Sequence, residues 1–235
     1  IVGGSEVPIT SYPFSTSILL ATDLTTYAQF CGGSILNTRS VLSAAQCLSG
    51  KIVDQLRFRV GSSYSNQQGD VYNVEEITTH PNYNPWTLES DVAILHSDRS
   101  ISFIPNTIAA AAISDANYHI PDEIIVYAIG WGRTDVSINE PFSNHLRHVQ
   151  VPTVNQWTCM AHYGSIGWHI SDNMLCTGWV DTGGRGQCEG DEGSPIVHKG
   201  NVIGIRSFGF YCALPHFPSV NVRLSRFSEW IQANA

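Results

Sequence analysis

The sequence predicts an all-β protein, built as a sandwich or as a pair of barrels. Two observations carry this. Short apolar runs bounded by turn residues recur along the whole chain. Glycine and proline are scattered rather than clustered, so no linker, short repeat or low-complexity tract divides it.

Taken in order, the runs are residues 17–20, 34–36, 57–60, 92–95, 124–128, 146–151, 195–197, 202–205 and 219–222. Their brevity favours strands over helices. One clear helix comes last. Ser225 is placed to cap it, and Phe227, Trp230, Ile231 and Asn234 share one mostly apolar face. A shorter helix is expected to begin near residues 153–155 and to carry Trp157, Met160 and Ala161.

Of the 235 residues 43% are hydrophobic, enough for a buried core in one or two domains. Only 14% are charged, and 12 basic against 20 acidic side chains leave a net charge of −8. The absence of a basic run argues against nucleic acid as a partner, and the acidic balance opposes binding to anionic membranes. No apolar stretch reaches bilayer length. Six cysteines, at spacings unlike zinc-ligand pairs, read as three disulfides in a secreted protein. Lys51 and Lys199 are the only lysines; the other ten basic residues are arginines, which keep their charge in strongly alkaline surroundings. That bias fits a lumen of high pH. His145 and His148, three apart in a strand, face opposite sides and make no metal site. No sequon for N-glycosylation is present, and no metal or cofactor is expected.

The densest motif is Cys188-Glu189-Gly190-Asp191-Glu192-Gly193-Ser194-Pro195. Ahead of it, in order, come Ile1-Val2-Gly3-Gly4, Cys31-Gly32-Gly33-Ser34, Leu42-Ser43-Ala44-Ala45-Gln46-Cys47, Asp91-Val92-Ala93-Ile94-Leu95 and Gly130-Trp131-Gly132; Ser207-Phe208-Gly209 and the last helix follow. Together they resemble the chymotrypsin/trypsin family of serine proteases over essentially the whole chain. Residues 146–151, 171–176 and 227–235 are most similar to lepidopteran midgut trypsins.

The resemblance implies one trypsin-like domain of two six-stranded antiparallel β-barrels, about residues 15–110 and 111–225, with a cleft between them and a C-terminal helix. It implies disulfides Cys31–Cys47, Cys159–Cys176 and Cys188–Cys212. It implies that residues 1–4 are a new N-terminus left when a leader and propeptide are removed, with the Ile1 amine inserted beside Asp191 as a buried ion pair. Asp70, Glu75 and Glu76 fall where some relatives bind calcium, but read better as solvated loop carboxylates.

The catalytic positions depart from the family pattern. An active member needs a hydroxyl nucleophile, an imidazole base and a carboxylate that orients the imidazole. Asp91 matches the carboxylate. Gln46 stands where the family has histidine, and an amide cannot exchange a proton near neutral pH. Glu192 stands where the family has serine; its carboxylate is expected to point at the Gly190 N–H, in the former oxyanion hole, or into the cleft. Gln46 is expected to bridge Asp91 and Glu192. The former specificity pocket is Gly186, Ser207, Phe208, Gly209 and Ser219. Gly186 replaces the Asp that binds Lys or Arg in the resembling trypsins, and Arg206 reads either as a surface residue or as a positive charge met by the substrate. Gly193-Ser194 replaces Gly-Gly.

From these departures the sequence reads as a secreted, non-catalytic serine protease homologue with no functional catalytic residue. It is expected to act by binding: an inhibitor decoy, a protease cofactor, or a capture protein for immune or gut ligands. Its partner is expected to be a protein or peptide, met in gut lumen or haemolymph by a monomer. A hydrolase of displaced mechanism using Glu192 and Asp91, and a storage or structural protein, are the rival readings.

Overall fold

The computed structural model describes residues 1–136 and 141–235. The chain enters through a short strand, β1 (Ser5–Glu6). Six strands then close a barrel: β2 (Ser15–Leu20), β3 (Ala28–Ile35), β4 (Ser40–Ser43), β5 (Leu56–Val60), β6 (Asp70–Thr79) and β7 (Ala93–Ser97), in the order β2-β3-β4-β7-β6-β5. The sequence builds it by alternation. In β5, Leu56, Phe58 and Val60 are buried while Arg57 and Arg59 turn outward, and Phe58 stacks on Tyr72 of β6 at 5.5 Å. Strands β4 and β7 are buried on both faces. Val41 and Leu95 fill the barrel, whereas their neighbours Leu42 and Ile94 pack with Trp131, Val202 and Ile205 of the other half. Each such large apolar side chain contributes about 1.5–3 kcal/mol.

The second half is a sheet of β8 (Ala112–Ile113), β9 (Ile125–Gly130), β10 (Arg147–Pro152), β11 (Met174–Thr177), β12 (Pro195–His198), β13 (Asn201–Phe208) and β14 (Ser219–Arg223), together with β1. Its order is β1-β10-β9-β12-β13-β14-β11, with β8 parallel to β13. Six of its strands, in the order β10-β9-β12-β13-β14-β11, make up the expected second half of the fold. The terminal strands β10 and β11 do not form a ladder; they meet through the single bridge Thr153↔Thr177 and flanking bonds such as Gly178 N–H to the Pro152 carbonyl at 2.9 Å.

Among the described residues three short helices accompany the sheets: α1 (Ala45–Leu48), α2 (Gln156–Gly164) and α3 (Ser228–Asn234). Helix α2 is capped by Asn155, whose side-chain oxygen accepts from the Trp157 and Thr158 N–H groups. Its buried residues are Cys159 and Tyr163; Trp157, carried on this helix as expected, is 76% exposed. Ser225 does not cap the last helix. It lies in a 3-10 turn, Leu224–Arg226, and Phe227 precedes α3 with no side-chain cap. Phe227 and Ile231 are buried as expected. Asp70, Glu75 and Glu76 are exposed on strand β6, not on a loop. The three disulfides are those implied by the resemblance.

Candidate functional site

The segment 186–194 lies between the two halves and is held from three sides. From β3, the Gln29 side-chain amide donates to the Gly190 carbonyl at 2.8 Å, and the Gly32 N–H donates to the Glu192 carbonyl at 2.7 Å. From β13, the Arg206 carbonyl accepts from the Gly193 N–H at 2.8 Å. Val2 and Gly186 exchange both backbone bonds, so the N-terminus is itself a splint. Gly193 has φ +77°, and a Cβ there would lie 2.2 Å from Ser43 Oγ and 2.4 Å from the Gly32 carbonyl oxygen. Only glycine fits.

Asp191 is wholly buried and fully partnered. The Ile1 ammonium donates to its Oδ2 at 2.9 Å and to the Arg133 carbonyl at 2.7 Å. The Gly132 N–H reaches Oδ1 at 2.7 Å, and the Cys188 N–H reaches Oδ2 at 2.9 Å. The expected pair is present. Burial pushes the Ile1 amine below its ordinary value, and the Asp191 charge opposes that push.

Asp91 forms the second network. The Gln46 backbone N–H donates to Oδ1 at 2.7 Å, and the Gln46 Nε2 to Oδ2 at 2.6 Å. Ser207 Oγ also donates to Oδ2, at 2.5 Å. Burial pushes the Asp91 carboxyl up, against the lowering effect of these bonds. The expected bridge from Gln46 to Glu192 is not made. The second amide N–H goes instead to the Ser207 carbonyl at 2.8 Å, so both amide donors are spent before either reaches Glu192.

Glu192 finds other partners. Its Oε2 accepts from the Gly190 N–H at 2.8 Å, as expected, and its Oε1 from Arg206 Nε at 3.3 Å. A fifth of its side chain still meets solvent. Desolvation nevertheless outweighs the Arg206 charge and pushes its carboxyl up. Arg206 is 3% exposed, which settles against the surface reading, and its Nη1 donates to Ser219 Oγ at 3.2 Å.

A cavity of about 330 Å³ brings Gln46, Glu192, Arg206 and the wall Ser207, Phe208 and Gly209 together. Gly186 and Ser219 do not line it. A Cβ at Gly186 would lie 3.8 Å from Ser219 Oγ, and Arg206 is the group that links Ser219 to the cavity. Phe210 and Tyr211 line it as well, and sequence reasoning missed both. A second cavity of about 210 Å³, also missed, lies between Trp86, Leu88 and Trp168 and shares Phe208. Trp86, 93% exposed in a polar loop, was its only signal. Chemically, the first cavity offers a carboxyl that can take or give a proton, one backbone N–H beside it, and a guanidinium.

A family model described as Trypsin matches residues 1–231. The chain is 48% identical to Trypsin, alkaline B, of Manduca sexta, and 48% identical to Trypsin CFT-1 of Choristoneura fumiferana, covering all of this chain and 91% of each relative. It is 40% identical to Achelase-1 of Lonomia achelous over the whole of both chains. These relatives overturn the expectation of a non-catalytic binding protein and of a chain that is no enzyme. Full-length relatives at this identity are named as trypsins. The side chains at Gln46 and Glu192 close one route to hydrolysis, and that alone does not exclude a different one.

Proposed function

The chain belongs to the trypsin family, and from that premise we propose that it hydrolyses peptide bonds in extracellular polypeptides, with water as nucleophile and Glu192 as proton acceptor. The observation that carries this is the Glu192 carboxyl. It is desolvated, partly open to the cleft and held beside the Gly190 N–H. A carboxyl raised above its ordinary range is a better base toward water. When a substrate carbonyl takes the place of Oε2 at the Gly190 N–H, that donor faces the developing oxyanion. Water oxygen bonds to the carbonyl carbon and its proton passes to Glu192. The C–N bond then breaks, and the departing amine takes the proton back.

The rate is expected to be low. In a serine protease of another fold, losing the serine or histidine costs about 10⁶ in turnover. An alkaline gut lumen is the proposed setting: lysine is nearly absent, three disulfides suit an oxidising compartment, and two relatives from lepidopterans are trypsins. The protein acts there as a monomer on polypeptide, without nucleic acid or membrane.

The test is turnover of fluorogenic casein and peptide amides by purified protein beginning at Ile1. The expected result is slow hydrolysis that rises with pH as Glu192 ionises, disappears in E192A and E192Q, and resists a serine-directed phosphonate. Turnover equal in E192A and the parent, or blocked by the phosphonate, sinks the mechanism; no turnover at all sinks the function.

A further inference from the structure

We propose that Arg206 makes the cleft selective for an acidic side chain of the bound polypeptide, the opposite of a pocket that takes Lys or Arg. The inference rests on the polypeptide reading above. Arg206 is the only cation among the described residues lining the 330 Å³ cavity. Its guanidinium is buried, yet the two bonds it makes leave much of it unanswered. Nε donates to Glu192 at 3.3 Å and Nη1 to the neutral Ser219 hydroxyl at 3.2 Å, while Nη2 has no acceptor among the described residues. A guanidinium carries five N–H donors in a fixed fork. Nη2 is not sealed away from solvent but opens on the cavity, so a guest that supplies an acceptor there replaces water with a direct bond.

The other charges around the cavity do not cancel this. Glu189 is 60% exposed at its side chain and pairs with Arg133 Nε at 2.8 Å. Glu192 engages only the Nε edge of Arg206 and shares its other oxygen with the Gly190 N–H. Gly186 brings no carboxylate. A carboxylate meets Nη2 with a charge-assisted bond, an amide oxygen meets it with a weaker one, an apolar group leaves it bare, and an ammonium is repelled. The Nη2 atom lies 3.8 Å from where a Cβ on Gly209 would stand, so the guest must pass the Ser207–Gly209 wall.

Fluorescence anisotropy with a disulfide-cyclised peptide that varies at one apical side chain tests this without requiring turnover. The parent chain is expected to bind the Glu peptide roughly ten-fold more tightly than the Gln peptide and roughly a hundred-fold more tightly than the Lys peptide. R206V should abolish the order and strengthen Lys binding. R206K, which keeps the charge without the fork, should keep the order and weaken Glu binding about ten-fold. Equal binding of Glu and Lys peptides, the parent's order persisting in R206V, or no peptide binding at all overturns the proposal. Selective binding without hydrolysis leaves it standing and counts only against the catalytic reading.

Discussion

Asp191 and Glu192 are adjacent in sequence and lie in unlike surroundings. Asp191 is wholly buried and is met by two backbone N–H groups and the chain terminus. Glu192 is a fifth exposed and is met by one backbone N–H and one side chain. Every donor to Asp191 is put in place by the path of the main chain, so this site is part of the fold. Glu192 depends on a partner side chain that could be exchanged with it. The comparison explains how the frame around a reaction centre can stay fixed while the groups within it change.

Three experiments strain that contrast. The largest effect belongs to D191N, which leaves a buried ammonium facing a neutral amide and should cost about 3–5 kcal/mol. Segments 186–194 and 207–212 should lose hydrogen-exchange protection first; unchanged protection in both would mean that the pair does not order them. Next is C188S/C212S. This disulfide ties the carboxylate segment to the wall of the cavity, and its loss should cost about 2–4 kcal/mol. Urea unfolding measures it, and a cost as large as that of D191N would erase the distinction between the two regions.

The smallest effect is a pH dependence. Burial raises the Glu192 carboxyl in the folded state above its unfolded value. The resulting stability is fully present below the unfolded value and is lost as pH rises through the folded one. The parent should therefore gain stability relative to E192Q on acidification. A constant difference between the two across acid and neutral pH would show that Glu192 is as well solvated folded as unfolded.

The strands legible in the sequence were those with continuous burial, such as residues 92–95, or clean alternation, such as residues 57–60. Strand β6 was missed because its alternation breaks at a register shift between Val74 and Glu76, which leaves Glu75 and Glu76 exposed together. Strand β11 offers only four residues, one of them a half-cystine. In the site, the Asp191 network and the Asp91–Gln46 contact followed from motif order. The Glu192–Arg206 contact did not, because it depends on how β12 pairs with β13. Pro195 opposite Ile205, and the Arg206 N–H on the Ser194 carbonyl, bring residues 192 and 206 within reach. No local pattern encodes that register. The expectation of an inactive chain fails for a related reason: two substituted side chains speak for one mechanism, whereas a relative 48% identical over the whole chain is named a trypsin.

The burial of Ile1 has a practical corollary in the chemistry of primary amines. With Ile1 as the free terminus, the molecule has three of them, and the other two belong to Lys51 and Lys199. The terminal amine is inaccessible against Asp191. An acylating reagent should therefore add two groups to the ordered form and a third only when the terminus swings free. Intact mass after brief labelling then counts ordered and released molecules directly, with no substrate, and follows how that population changes with pH or a bound peptide.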